Sequence, residues 1–329
     1  MDKIYKWGII GCGSVTELKS GPAYQKVEGF ELHAVMRRDI EKANDYALRH
    51  GVPKFYGDAD DLINDPEIDA VYIATPPDSH TYYALKVAEA GKICCIEKPM
   101  APTYKECLLI ENTYKEKSIP LFVAYYRRSL PRFNQIKLWI EQQKIGVIKH
   151  INWHFRKPVN TVDLSEAYNW RTDINIAQGG YFDDLASHGI DLFIHLLGDI
   201  ERANGIATNQ LGLYTSMDAV VGNWIHKSGV TGTGSWNFGA QKREDIVQIY
   251  GDKGKISFAV FEETPIILET GSSKESLIIK HPENIQYFHV QNIKNHLLKK
   301  PKHPSTGTSA LHTSWVLENI LINNKKQHN

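Results

Sequence analysis

Lys98 and the pair Asp184 and His188 are the residues of this 329-residue chain whose types and spacing suit proton transfer. Lys98 stands in Glu97-Lys98-Pro99, directly after the apolar run Ile93-Cys94-Cys95-Ile96. That run follows a helix-stop glycine, Gly91, and reads as a buried strand. A strand ending in this tripeptide places an ammonium group at a sheet edge, and in an open parallel sheet the carboxyl edge is where ligands bind. Taken alone, a lysine at a strand end is more often a solvated charge. On a helix Asp184, His188, Asp191 and His195 fall at i, i+4, i+7 and i+11 and share one stripe, beside an apolar face of Leu185, Leu192, Phe193 and Leu196. Four ionisable groups along one side of such a helix are ordinarily an exposed stripe. An acid one turn before an imidazole is also what a proton-transfer site needs.

The elements that must position these groups alternate in the first third. Ile4 to Ile10, Glu31 to Met36 and Ala70 to Ala74 are strand-like, and helices are expected from about Glu41 to His50 and from His80 to Ala90. This rhythm predicts a doubly wound parallel sheet. The first strand runs into Gly11-Cys12-Gly13-Ser14-Val15-Thr16, a glycine turn where a helix should start. Such a turn brings backbone close to a pyrophosphate and offers it the free NH groups of a helix amino terminus. Thr16 replaces the third glycine, and Gly21-Pro22 interrupts the helix that should follow. Thr75-Pro76-Pro77 ends the third strand at the same edge, either as turn punctuation or as a cofactor contact.

After the second strand an NAD site carries an acid for the ribose hydroxyls, whereas NADP needs cations for its extra phosphate. The chain has Met36-Arg37-Arg38-Asp39, with Arg37 in the acid's position. Its fork suits a phosphate and Arg38 can lie across the adenine, so NADP(H) is favoured over NAD(H), although Asp39 could serve as a displaced acid.

Beyond Val123 the alternation stops. A helix is expected from about Leu130 to Gln143, followed by strand-like runs His150 to Arg156, Ile200 to Thr208, Ala219 to His226, Val230 to Phe238, Ile246 to Tyr250 and Lys255 to Val260. Successive strands predict a second α+β domain on a large, mostly antiparallel open sheet. Residues 1–123 are thus expected to form a dinucleotide-binding domain and residues 124–329 a substrate-binding and oligomerisation domain.

Three motifs in this order carry a resemblance: the glycine turn Gly11 to Gly13, Glu97-Lys98-Pro99, and Gly179-Gly180 followed by Asp184 and His188. Together they resemble the Gfo/Idh/MocA oxidoreductase family over essentially the whole chain, including Ala124-Tyr125-Tyr126-Arg127-Arg128, similar to the family's Arg-containing crossover into the second domain. The resemblance implies a Rossmann domain and hydride transfer between NAD(P) and a secondary alcohol or carbonyl of a sugar, polyol or related compound. It implies that Lys98 and His188 flank the reacting carbon, that Asp184 orients the substrate or the imidazole, and that Glu97 lies near the nicotinamide ribose. The cofactor-binding set is then Gly11, Gly13, Ser14, Val15, Arg37, Arg38, Thr75, Pro76, His80, Glu97 and Lys98. The substrate-binding set is Lys98, Arg128, Trp170, Arg171, Asp184 and His188. Tyr168, Trp170 and Arg171, in the loop from Arg156 to Gln178, suit a sugar ring and its hydroxyls, or equally the packing of a lid. Two other readings stand beside this one. One is a glycoside-processing enzyme that oxidises its substrate transiently on bound NAD(P) without net redox, and the other is a non-catalytic cofactor-sensing regulatory protein.

The bulk composition excludes other classes. Thirty-eight basic and 38 acidic residues balance, so no global field favours nucleic acid or an anionic membrane. Four irregularly placed cysteines make neither a disulfide framework nor a zinc ribbon and fit a reducing compartment. No hydrophobic signal region precedes the first strand and no run of about 18 apolar residues occurs, so a soluble, cytoplasmic protein is expected. No metal is expected, because His150 and His154 lie on a strand-like run and His188 and His195 stand two turns apart. The stretch His281 to His303 reads as a solvated helix and loop before a last helix from about Thr308 to Asn323. Trp224, Trp236 and Phe238 are expected to cover an open sheet face against another subunit, giving a homo-oligomer, dimer or tetramer.

Overall fold

The computed structural model describes residues 3–165, 167–271 and 273–322. The chain divides into two compact units, the first comprising Met1–Leu130 and Pro282–Leu311, the second Pro131–His281 and His312–Asn329. The first unit therefore reclaims a segment that the sequence reading assigned to residues 124–329.

In the first unit the elements run β1 (Tyr5–Ile10), α1 (Ser14–Leu18), α2 (Gly21–Lys26), β2 (Phe30–Met36), α3 (Ile40–His50), β3 (Lys54–Tyr56), α4 (Ala59–Asn64), β4 (Ala70–Ile73), α5 (His80–Glu89), β5 (Ile93–Ile96), α6 (Tyr104–Glu116) and β6 (Leu121–Val123). The six strands form one parallel sheet in the order β3-β2-β1-β4-β5-β6. The order reverses direction between β1 and β4, so a crevice opens at their carboxyl ends. Local sequence sets the helix ends. Asp39 caps α3 by accepting from the Lys42 amide, Gly51 closes it in a left-handed conformation, and Thr103 caps α6 by accepting from Glu106 N.

Burial on both faces explains why β4, β5 and β6 are apolar throughout. On one face Ile10, Ile73 and Ile96 pack with Leu62, Val87 and Ile110 from α4, α5 and α6. On the other, Trp7, Ile9 and Tyr72 pack with Tyr24 and Tyr46 from α2 and α3. Val290 and Ile293 join that second layer from a helix near the carboxyl end. Full burial of each large apolar side chain contributes about 1.5–3 kcal/mol.

The second unit opens with α7 (Pro131–Glu141) and β7 (Ile148–Arg156), continues through α8 (Ser187–Leu197), and then runs β8 (Ile200–Thr208), β9 (Ala219–His226), β10 (Thr231–Asn237), β11 (Glu244–Gly251), β12 (Gly254–Phe258), β13 (Ile266–Thr270) and β14 (Ser273–Leu277). These eight strands make one open sheet, β14-β13-β12-β11-β7-β10-β9-β8, antiparallel except where β7 meets β10. Alternation along β7 turns Ile151, Trp153 and Phe155 inward and His150 and His154 outward. Phe193 of α8 meets Trp153 edge to face and stacks on Trp224.

Two sequence expectations are corrected here. Trp224, Trp236 and Phe238 are buried on the helix-covered face of their own sheet, at 4%, 1% and 1% exposure, because their strand positions share parity with that core. The outward face carries Ile206, Val221 and Ile246 instead. The stretch His281 to His303 is not solvated: it holds α9 (Tyr287–Leu297), and His289, Val290 and Ile293 are fully buried against the first sheet. The last helix, α10 (Gly307–Leu321), starts one residue before its expected bound, and the expected end at Asn323 lies outside the described residues. No helix among the described residues is long and apolar enough to cross a membrane.

Candidate active site

At the carboxyl edge of the first sheet the turn after β1 is pinned to β2, because Gly11 N and Cys12 N both donate to Met36 O, at 2.9 and 3.2 Å. Gly11 has φ +91°, and a Cβ there would lie 2.7 Å from the Thr75 side chain and 3.0 Å from the Thr75 backbone, so only glycine fits. Thr16 takes the third-glycine position without loss of packing. It is fully buried, donates through Oγ1 to Gly13 O at 2.8 Å, and its carbonyl accepts from Tyr46 Oη at 2.8 Å. Helix α1 ends at Leu18 and α2 restarts at Gly21, the interruption that Gly21-Pro22 foretells. Ser14 and Val15 open α1, with Ser14 exposed.

Arg37 and Arg38 are exposed after β2, and Arg37 Nη1 lies 3.4 Å from Cys12 O, beside the glycine turn. Asp39 is committed elsewhere. Its carboxylate caps α3 and pairs with Lys42 Nζ at 2.9 Å, and these contacts hold its pKa below the usual carboxylate value.

Beyond β4, Ser79 Oγ donates to Thr75 Oγ1 at 2.8 Å. His80, expected among the cofactor ligands, is fully buried, with Nε2 2.8 Å from Thr75 O and Nδ1 3.0 Å from Pro99 O. Burial lowers its pKa while the two carbonyls oppose the shift. Both ring nitrogens thus face backbone carbonyls, one at the end of β4 and one just beyond β5.

Glu97 is also turned inward, at 8% exposure. Its Oε1 accepts from Tyr72 Oη at 2.5 Å and from Gln286 Nε2 at 2.7 Å, and its Oε2 accepts from the Lys98 amide at 3.0 Å. Lys98 is half-buried, and the Lys98–Pro99 bond is cis. Arg128 is buried and donates through Nη1 to Pro304 O at 3.0 Å, tying the end of the first segment to the returning one.

In the second unit Gly179-Gly180 makes the turn that starts the helix of Asp184 and His188. Gly180 has φ +61°, and a Cβ there would lie 2.6 Å from Met217 O. Gly179 N donates to Asp183 Oδ2 at 2.8 Å, and burial pushes the Asp183 carboxyl up to about 7. Phe182–Ala186 is a π-helical turn that passes into α8. A π turn inserts a residue into the α repeat, so Asp184 departs from the regular spacing that His188, Asp191 and His195 keep on α8. Asp184 and His188 are each 5% exposed, whereas Asp191 is fully buried and accepts from Thr313 Oγ1 at 2.9 Å within the core.

Asp184 Oδ2 accepts from Arg171 Nε at 2.5 Å, and the Arg171 guanidinium lies 4.4 Å from the Trp170 ring. The 156–178 loop is drawn together beside them. Tyr181 Oη donates to Asp163 Oδ2 at 2.8 Å, Asn169 Nδ2 reaches Asp163 Oδ1 at 2.9 Å, and Lys157 Nζ stands 4.3 Å over the Tyr181 ring. Tyr168 is exposed. His188 meets Phe261 edge to face at 5.8 Å, and Phe261 is fixed by its amide donating to Asp245 Oδ2 at 2.6 Å.

Sequence reasoning did not find Phe261, Asp245, Tyr72 or Gln286. Each acts through a contact distant in sequence, and none sits in a motif. No group of three or more metal-ligating residues occurs among the described residues.

Two family models match the chain. One, described as "Oxidoreductase family, NAD-binding Rossmann fold", spans residues 5–125, and the other, the GFO/IDH/MocA C-terminal domain, spans residues 133–257. The chain belongs to the Gfo/Idh/MocA oxidoreductase family. An oxidoreductase of Formosa agariphila, P35, is 36% identical over 321 residues, 97% of this chain and 98% of that protein. Levoglucosan dehydrogenase of Pseudarthrobacter phenanthrenivorans is 33% identical over 166 residues, 50% of this chain and 42% of that enzyme. A solved levoglucosan dehydrogenase in complex with NADH and levoglucosan shares the fold at a TM-score of 0.87 and 22% identity, over 99% of this chain and 98% of the other. This Gfo/Idh/MocA protein is an enzyme, a dehydrogenase or reductase that uses a nicotinamide dinucleotide, and the cradle around Gly11 fits such a group: a positive-φ glycine, the open Gly13 and a buried Thr16.

Proposed function

We propose that this chain interconverts a secondary alcohol and its carbonyl on a sugar, polyol or related compound, with NADP(H) favoured over NAD(H). The observation that carries the reading is the row of groups on one sheet edge: the glycine turn after β1, Arg37 and Arg38 after β2, and Lys98 after β5. When bound, the dinucleotide exchanges a hydride with the substrate carbon. Gly11, Gly13, Ser14, Val15, Thr75 and Pro76 would hold its phosphates and nicotinamide half. Arg37 would grip the additional phosphate of NADP, and Asp39, capping α3, leaves no acid to oppose it.

Lys98 donates a hydrogen bond to the substrate oxygen and stabilises alkoxide charge as it develops. His188 takes the hydroxyl proton in oxidation and returns it in reduction. Asp184, held by Arg171, orients the substrate or the imidazole. Trp170 offers an apolar face to a sugar ring while Arg171 offers donors to its hydroxyls. The names of levoglucosan dehydrogenase and of the 1,5-anhydro-D-fructose reductase of Ensifer adhaerens, 24% identical over 261 residues, support a sugar-like substrate.

A homo-oligomer, dimer or tetramer, belongs to the same reading. Ile206, Val221 and Ile246 on the outward sheet face, beside a groove lined by Arg156, Thr208, Ser235 and Asn237, form the surface to be covered. Sedimentation at several protein concentrations tests it.

For the activity, NADPH and NADH are titrated against the protein by fluorescence. Sugars and keto-sugars are then screened with both by nicotinamide absorbance. Tighter NADH binding reverses the cofactor assignment, and a screen without turnover on any sugar removes the substrate class.

A further inference from the structure

The carboxylate of Glu97 sits almost wholly buried at the end of β5, where an uncompensated charge would cost several kcal/mol. Three donors compensate it. Tyr72 is its neighbour in the sheet and the Lys98 amide its neighbour in the chain, but Gln286 comes from 189 residues further on. The stretch that delivers Gln286 is fastened to the end of α1. Asn284 Nδ2 donates to Leu18 O at 2.8 Å, Gln286 N donates to Lys19 O at 3.3 Å, and Lys26 Nζ donates to Asn284 Oδ1 at 2.7 Å. Asn284 and Gln286 are 6% and 1% exposed. One short piece of chain thus joins the helix that opens at the dinucleotide turn to the residues that lead from β5 into Lys98.

We propose that Gln286 is a positioning residue for Lys98: its side chain fixes Glu97, Glu97 fixes the Lys98 amide, and Asn284 keeps that setting in register with α1. The inference rests on the reading of Lys98 as the group that meets the substrate oxygen. The chemistry requires a donor at position 286. Methionine would fill the same space and leave Glu97 Oε1 with Tyr72 alone, and Tyr72→Phe would do the converse.

The test uses the full chain as parent, Gln286→Met and Tyr72→Phe. Each is labelled with acetic anhydride, and acetylation of Lys98 is measured by peptide mass spectrometry against exposed Lys105. In both variants the Lys98 rate relative to Lys105 should change by about threefold or more. In whatever sugar reaction the parent catalyses, kcat should fall about tenfold while KM moves less than about threefold. A merely structural glutamine would lower the melting temperature and leave the Lys98 to Lys105 ratio alone. Parent-like labelling of Lys98 in both variants, or parent-like kcat, overturns the proposal. Full turnover by Lys98→Ala would instead overturn the reading of Lys98, while the labelling ratio would still report whether Gln286 sets that lysine.

Discussion

Arg171 donates from Nε to Oδ2 of Asp184 at 2.5 Å, so a residue of the 156–178 loop holds the acid that precedes His188. Asp184 is 5% exposed, and without this cation its charge would be left less compensated in a desolvated place. Replacing Arg171 by Met should lower kcat/KM by about tenfold to a hundredfold, the loss of a charge-assisted hydrogen bond of about 1.5–3 kcal/mol. Steady-state kinetics measures it, and kcat/KM within twofold of the parent would show that Asp184 needs no such partner.

Lys98→Ala and His188→Ala should each reduce turnover at least about a hundredfold while cofactor binding stays close to that of the parent. Turnover is followed by nicotinamide absorbance and binding by fluorescence titration. Undiminished turnover in the His188 variant would remove it from the proton pathway.

Arg37→Asp should exchange the cofactor preference. The substitution removes a phosphate-gripping fork and supplies an acceptor for ribose hydroxyls, so NADPH should bind about tenfold or more weakly and NADH more tightly. Competitive titration of the two cofactors decides it, and an unchanged ratio would place phosphate recognition elsewhere.

His303 makes stability depend on pH in a definite direction. Its ring is 3% exposed, Nδ1 accepts from Ser305 N at 2.9 Å and Nε2 faces His289 O at 3.0 Å, an arrangement made for the neutral imidazole. Burial lowers its pKa to about 3, against about 6.5 in an unfolded chain. Between those values the unfolded chain binds the extra proton, so stability is full above about pH 6.5 and falls as pH drops toward 3, by up to about 1.4 kcal/mol per pH unit for this group. Urea unfolding of the parent and of His303→Gln across that range tests the sign. Parallel curves would show that another group sets the slope.

Much of this architecture could be read before any coordinates. The alternation from Ile4 to Ala90 announced the parallel sheet, and Ile200–Thr208 and Ala219–His226 were strands with the bounds that their patterns gave. Strand β3, of three residues, and strands β13 and β14 at one end of the second sheet gave too short or too polar a signal. Lys98, Asp184 and His188 stood out because their local patterns are peculiar. The groups that hold Glu97 and His188 did not, since Gln286 and Phe261 look like ordinary residues until the fold brings them there, and Arg171 was read toward a sugar's hydroxyls, with its hold on Asp184 unseen. His289 and His303 misled, because polarity in the sequence reads as solvation, whereas here the histidines line a helix packed on the first sheet. The π turn before α8 was equally invisible, since an i, i+4 count presumes the regular α repeat.

The return of residues 282–311 to the first unit sets an order of events during synthesis. The ribosome releases the six parallel strands early, yet one side of their sheet lacks Val290 and Ile293, and the buried Glu97 lacks Gln286, until residues 282–311 have also emerged. The amino-terminal domain therefore cannot finish ahead of the other, as successive domains in a chain usually do. Maturation of the first unit is withheld until residues 131–281 of the second have already been made.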